Sequence, residues 1–373
     1  MRLEIFDSLS SCSHLKGSWN AFANECSHDI SLTFEWHQAL AASQSPAANL
    51  KILWVYQGGE LIAILPLCRS WRRRRWVPLR TLSPLGAIYC AHDSLLIRSP
   101  SLLSLAEILE TVTSSVGRWD AFSFGVSDDT NVYSQLEFAD QFPARNIEWI
   151  QGKSSPYLAL NGTLEDFTAK LGTKMRTNIR ARLKRIQDAG SLELVVITEQ
   201  ADVHDAFDAI RQIEIKSWKQ SAGTSITANP AQVRFYEELM RGLAASGLLR
   251  VYLLHLDGHP VAHDLGFVYK NRFFSGKTSF TEDIRPLQPG FVLRWLIIKD
   301  LFEHEISEHD FMGESEPYKL QWTRTVRHHR DVLLYRNGAV GQASKLLGRL
   351  SNLLRRNGGL ATRVSDGTLE RGG

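Results

Sequence analysis

The chain has 373 residues, 43% of them hydrophobic and 22% charged, with a net charge of +3 from 43 Lys+Arg against 40 Asp+Glu. That length favours two domains, each long enough to bury its own core, and a near-average composition excludes disordered and fibrous architectures. The charge balance is too even for a dedicated nucleic-acid binder, and no apolar run approaches the roughly 20 residues that span a bilayer.

The N-terminus carries Glu4 and Asp7 and lacks the apolar stretch of a signal peptide. A cytoplasmic, soluble protein is expected, with docking on the inner face of the membrane left open. Cys12, Cys26, Cys68 and Cys90 stand 14, 42 and 22 residues apart with no C-x-x-C pair. Reduced thiols are expected rather than a disulfide framework or a zinc site.

Taken in chain order, Leu50–Tyr56 and Leu61–Cys68 are apolar runs around Gly58 and Gly59, which predicts a β-hairpin. Arg72–Arg75, flanked by Trp71 and Trp76, then reads as an exposed loop of that hairpin. Ser101–Val116 spaces Leu102, Leu105, Ile108, Leu109 and Val112 as a helix does. Trp119–Val126 is a strand, Val132–Phe142 a helix, and Arg145–Gln151 and Tyr157–Leu160 two short strands. A first lobe of mixed α and β therefore ends near residue 152.

Thr163 caps a helix with Asp166 three residues on. That helix runs to about Ala189 and stops at Gly190. Met175, Ile179, Leu183 and Ile186 form its apolar stripe, and Lys170, Lys174, Arg176, Arg180, Arg182, Lys184 and Arg185 occupy its other faces. Leu192–Thr198 is a strand, and Ala201–Lys219 and Pro230–Ala245 are helices. Leu248–His255, Pro260–Tyr269 and Arg272–Phe280 form a meander, Gly290–His304 a helix, and His309–Met312 and Asp331–Arg336 short strands. Residues 338–373 hold a last amphipathic helix with Leu346, Leu347, Leu350, Leu353 and Leu354, followed by a Gly-rich tail.

Two stretches carry candidate chemistry. In Ile284-Arg285-Pro286-Leu287-Gln288-Pro289-Gly290 a Pro-Gly pair opens a helix, so backbone N–H groups and the helix dipole face an anion with Arg285 nearby. The second is Asp310-Phe311-Met312-Gly313-Glu314-Ser315-Glu316-Pro317-Tyr318-Lys319, followed by Trp322. With these residues the chain resembles the GNAT superfamily, and within it the CelD/BcsL-type acetyltransferases of cellulose and exopolysaccharide loci, relatives of the FemABX peptidyltransferases. That group pairs a Pro-Gly helix start with a D-F-x-x-G-x-x-x-Y-K-like stretch, against which Gly313 stands one residue early. Ser31–Trp36, the basic segment Lys174–Arg185 and Ile213-Glu214-Ile215-Lys216-Ser217-Trp218-Lys219 fit the same resemblance, which covers roughly residues 30–335.

The resemblance implies a mixed α/β fold of two tandem GNAT-like lobes, each a twisted mixed sheet flanked by helices. Residues 1–152 would form the N-terminal lobe, 153–337 the acyltransferase lobe, and 338–373 the terminal helix and tail. It also implies acetyl-CoA or another acyl-CoA as cosubstrate, its diphosphate against Gln288, Pro289, Gly290 and Phe291, with Arg285 and Lys319 close by. The chemistry implied is direct attack of an amine or hydroxyl on the thioester. For the acid that protonates the leaving thiolate, Tyr318 is the candidate, the alternative being a packed phenol. Lys319 faces either a phosphate or a carboxylate.

Candidates for the base are His263, Asp264, Glu282, Glu314 and Glu316. His263 and Asp264 interrupt an apolar strand on opposite faces. The spacing of His255, His259 and His263, like that of His304-Glu305 and His328-His329, lacks the H-E-x-x-H pattern, so no metal is expected. The basic helix binds the CoA diphosphate, a glycan or tRNA, or is a solvated face. The partner implied is a glycan or amino-sugar acceptor, with a membrane polysaccharide synthase nearby. The competing readings are an aminoacyl-tRNA-dependent transferase of the FemABX kind and a catalytically silent GNAT-fold subunit of a synthase complex.

Overall fold

The computed structural model describes residues 1–43, 50–74, 77–86, 95–98, 102–127, 146–336, 338 and 340. Cys90, Arg75, Trp76, the helix expected over 132–142 and nearly all of the terminal helix and tail lie outside the described residues. The described strands form one mixed sheet flanked by helices. Its order is β1 (Arg2–Phe6), β2 (Leu50–Gln57), β3 (Glu60–Arg74), β4 (Val77–Pro84), β6 (Ala121–Ser127), β13 (Val326–Tyr335), β7 (Asn146–Ala159), β12 (Glu308–Asp310), β11 (Arg272–Phe280), β10 (His259–Tyr269), β9 (Leu249–Leu256) and β8 (Leu192–Ile197), with β5 (Leu96–Ile97) added to β3.

The expected hairpin is present with Gly58 and Gly59 at its turn, both at positive φ, which glycine adopts without strain. Its second arm runs on to Arg74, so Arg72, Arg73 and Arg74 are strand residues paired with Leu79, Pro78 and Val77 rather than a loop. The charged side chains are accommodated because this end of the strand is solvated, with Trp71 71% exposed.

β7 joins the two halves. Asn146–Pro156 pairs with β13, and Tyr157–Ala159 pairs with β12. The two short strands expected there are one, and it passes straight through residue 152. β13, which follows the second half in sequence, returns to pair with β6 as well as β7.

The helix expected from Thr163 to Ala189 is two helices, α4 (Leu164–Lys170) and α5 (Thr173–Ala189). Thr163 and Asp166 form the reciprocal capping box of α4, and the chain turns extended at Leu171 and Gly172 between them. Likewise Ala201–Lys219 divides into α6 (Val203–Ile215) and α7 (Trp218–Ser221). Ser217 is extended, and its hydroxyl donates to Glu214 O at 2.8 Å, which competes with helix continuation.

One core crosses between the halves. α2 (Phe34–Ser43) lies against α8 (Pro230–Ala245), and Trp36 packs edge-on against Phe235 and Phe267 at 5.7 and 5.6 Å. Beneath it, His37 is enclosed with Nδ1 2.9 Å from Thr33 O. Burial pushes its pKa down to about 4, and the Thr33 contact opposes that shift. Between about pH 4 and 6.5 the unfolded chain therefore binds the extra proton, so stability rises with pH across this window and is lost as pH falls through it. The loss from His37 is on the order of 3 kcal/mol. His37→Gln flattens the urea-midpoint profile between pH 6.5 and 4 accordingly, and an unchanged slope would show that His37 is not its source.

Candidate active site

The site follows from where two strands stop pairing. β11 keeps β10 along one edge for its whole length. On its other edge it pairs with β12 in parallel only at Arg272–Glu308, Phe273–His309 and Phe274–Asp310. β12 ends there, while β11 continues to Phe280. The Thr281 N–H donates to Val261 O at 2.9 Å. Strand alternation then turns the backbone groups of Lys277 and Ser279 toward β10 and those of Thr278 and Phe280 toward the open edge. The two strands thus bound a wedge along whose β11 side backbone groups turn away from β10, among them Thr278 O, which accepts from Lys219 Nζ at 2.5 Å.

Asp264 and His263 lie on the two faces of β10 at this wedge, both fully buried. Asp264 is ion-paired with Arg294 at 2.6 Å and accepts hydrogen bonds from Ser275 Oγ at 2.8 and 2.6 Å. Arg294 comes from α9 (Pro289–Glu303) and also donates to Ser275 Oγ at 3.2 Å and His309 Nε2 at 2.8 Å. Burial, reinforced by the Arg294 cation, holds His309 neutral with its pKa well below the usual imidazole range.

On the other face, His263 Nε2 lies 3.1 Å from Glu214 Oε1, and Glu214 Oε2 accepts the Ile226 N–H at 3.0 Å. His263 Nδ1 is buried without a hydrogen-bond partner. Burial pushes the His263 pKa down, with Glu214 opposing. Burial raises the Glu214 pKa, but the His263 contact and the nearby lysines outweigh it and bring it down to about 2. At neutral pH the pair is a carboxylate beside a neutral imidazole.

Tyr318 is the second residue of the single turn α10 (Pro317–Leu320) and is 41% exposed. Desolvation of its hydroxyl and the Glu316 carboxylate push its pKa up, Arg294 pulls the other way, and Asp264 adds a further push. The phenol therefore stays protonated. Lys319 is committed elsewhere. Its ammonium donates to Met312 O at 2.8 Å and Glu314 O at 3.1 Å and pairs with Glu316 at 3.0 Å. That uses its three donors to fold the 312–316 loop and leaves none for a phosphate. Glu314 pairs with Lys153 on the surface. Glu282 pairs with exposed Arg285 at 3.1 Å, and its Oε1 is buried without a partner.

The start of α9 is built as follows. Gln288 adopts the left-handed conformation (φ 56°, ψ 51°) and Pro289 follows at the first helical position. The Gln288 N–H donates to Arg285 O, the Phe291 N–H to Gln288 O, and Pro289 has no N–H. The Gly290 amide remains the free donor at the positive end of a 15-residue helix. A Cβ on Gly290 would lie 3.2 Å from Phe280 Cδ1, so the absent side chain lets helix and strand end approach. Three cations from two elements converge on this turn. Arg182 of α5 stacks 3.9 Å over Phe291, Arg185 reaches Pro286 O at 3.4 Å, and Arg285 belongs to the turn itself.

Four residues of the wedge carried no role in the sequence reading: Glu214, Lys219, Ser275 and Arg294. Two had a legible signal. Arg294 stands alone among Phe291, Val292, Leu293, Trp295 and Leu296, and Glu214 stands between Ile213 and Ile215 on an amphipathic helix. A charge on an apolar face needs a partner. Among the described residues no group of three or more His, Cys, Asp and Glu side chains is arranged to hold a metal.

Residues 173–320 match a family model described as an acetyltransferase (GNAT) domain. The fold is a GNAT fold. FemX is similar in structure with a TM-score of 0.59 at 10% identity, over 89% of this chain and 97% of that one. A conserved protein of unknown function from Bacteroides thetaiotaomicron gives a TM-score of 0.56 at 12% identity, over 90% and 100%. The C-terminal domain of a putative lysylphosphatidylglycerol synthetase from Agrobacterium fabrum gives 0.55 at 14% identity, over 92% and 96%. At such identities the likeness is one of fold. No curated protein matches the chain in sequence. The residues matched, 173–320, contain the wedge, both strands that bound it and Tyr318.

Proposed function

We propose that the protein transfers an acyl group, acetyl in the simplest case, from acyl-CoA to an amine or hydroxyl of a cell-envelope or exopolysaccharide precursor, as the resemblance to CelD/BcsL-type enzymes implies. The observation that carries this is the wedge itself, where β11 runs on beyond β12 with the positive end of α9 beside its tip. The free Gly290 amide with Arg182, Arg185 and Arg285 fits a diphosphate. Acyl-CoA supplies the thioester. The open edge of β11 offers backbone groups to hold an extended chain, and Tyr318 holds a proton for the departing sulfur. A reaction at the cytoplasmic face, beside a membrane synthase, suits this acceptor. No helix of the described residues is long and apolar enough to cross a membrane.

Native mass spectrometry of the purified protein with acetyl-CoA tests the reading, with a stoichiometric complex as the expected result. Gly290→Val tests the placement, because its branched side chain would meet Phe280 and crowd the free amide. It is expected to weaken acetyl-CoA roughly tenfold or more, about 1.4 kcal/mol, measured well below the variant's own thermal midpoint so that lost packing against Phe280 is kept apart from lost binding. Unchanged affinity would place the diphosphate elsewhere. Aminoacyl-tRNA as donor is favoured by one observation, the exposed Lys174, Arg180, Lys184 and Arg185 of α5. RNA that co-purifies and competes with acetyl-CoA would turn the assignment to that donor.

A further inference from the structure

The reading of the wedge as an acyl-transfer site, on which this inference rests, leaves the proton of the attacking acceptor without a destination. Asp264 is locked to Arg294 and Ser275, and His263 is sealed against Glu214. Glu282 sits at the rim, tied to Arg285.

Lys219 on α7 is different. Its Nζ lies 2.5 Å from Thr278 O, a carbonyl that strand alternation places on the open edge of β11. Its side chain is 15% exposed, so the ammonium is drawn inside without being sealed off. Glu214 of α6 lies 3.8 Å away, and Lys277 of β11 is held nearby with its own ammonium on Thr224 O at 2.8 Å. The Asp264 and Glu316 carboxylates also act on its charge, as they do on that of Tyr318.

We propose that Lys219 is a catalytic residue, its neutral amine taking the proton of the acceptor's amine or hydroxyl as that group attacks the thioester carbonyl. The bond from nucleophile to carbonyl carbon forms and the carbon–sulfur bond breaks. The acceptor's proton goes to Lys219 Nζ, and the thiolate takes the proton of Tyr318. Solvent then removes the proton from Lys219 and restores that of Tyr318. Burial is the main force favouring the neutral amine, and Lys277 adds repulsion. Glu214, Glu316 and Asp264 oppose them, and the balance lies at about 8. One N–H bonded to Thr278 O anchors the amine while its lone pair remains to accept a proton.

Two measurements test this on the full chain. Competitive trace labelling of the wild-type protein with acetic anhydride, read peptide by peptide, is expected to titrate Lys219 with a midpoint near 8. A midpoint at the ordinary lysine value of about 10.4 would overturn the proposal. In the second, glucosamine is the probe acceptor, acetyl-CoA the donor, and thiol release the signal. Lys219→Met and Lys219→Arg are both expected to lower kcat by roughly 10²-fold, with the KM for acetyl-CoA unchanged and the limb near pH 8 gone from the rate profile. Arg keeps the charge but cannot act as a base, so an arginine variant with full turnover would reduce Lys219 to a structural cation. Native mass spectrometry of the same wild-type sample separates the two claims. Absence of an acetyl-CoA complex removes the parent reading, whereas a normal complex with unaffected lysine variants removes only this one.

Discussion

Tyr318→Phe lowers turnover by roughly 10²-fold or more, the lower range for loss of a general acid, while acyl-CoA affinity changes little. The substitution removes one hydroxyl from a partly exposed ring at the mouth of the wedge and leaves the packing of α10 untouched. Thermal stability should therefore stay where it is, which separates a lost proton from a lost fold. The phenol's pKa is raised above 10.0 by desolvation and by Glu316, so it remains an acid across the range in which such enzymes are assayed. No fall in rate below about pH 10 should trace to Tyr318. Steady-state thiol release together with calorimetric titration of acetyl-CoA measures both arms. A Phe variant with full turnover would make Tyr318 a packing residue and leave thiolate protonation to water.

Local chemistry was readable where it decided local structure. Gly58-Gly59 marks the hairpin, Thr163 with Asp166 marks the cap of α4, and Gln288-Pro289-Gly290 marks the start of α9. These signals depend on residues a few positions apart. The wedge depends instead on where β12 stops against β11, a parallel pairing between Phe274 and Asp310 that no local pattern encodes. The same is true of β13, whose pairing with β6 and β7 binds the end of the second half into the sheet of the first.

The site shows the same division. Asp264 and His263 were conspicuous because a charge in an apolar strand is costly unless partnered. Their partners Arg294 and Glu214 lie 30 and 49 positions away in sequence, so only the fold joins them. For Lys319 the sequence left a phosphate or a carboxylate open, and the fold decides for the carboxylate by placing its ammonium on Glu316 together with Met312 O and Glu314 O.

Arg294→Met is expected to be the most damaging single change at the site. Arg294 is 4% exposed, and its loss strands the fully buried Asp264 carboxylate with Ser275 as its remaining hydrogen-bond donor. Breaking a buried pair from one side costs about 3–5 kcal/mol, because the uncompensated charge must stay desolvated. A urea titration of the full chain should register that loss as a lower midpoint. His309 gives an independent signature. Burial remains the larger cause of its low pKa, but the Arg294 cation contributes, so its imidazole should titrate closer to the ordinary range in the variant. The double variant Arg294→Met with Asp264→Leu removes both charges and should recover most of the stability, since apolar residues commonly replace such pairs at little cost. Stability and activity should then part. Once refolded around an apolar floor, the wedge lacks the Asp264 and Arg294 charges that act on the Tyr318 hydroxyl, so the double variant should be stable and slow. A single variant as stable as the wild type would mean that the Asp264–Arg294 pair does not hold the floor of the wedge.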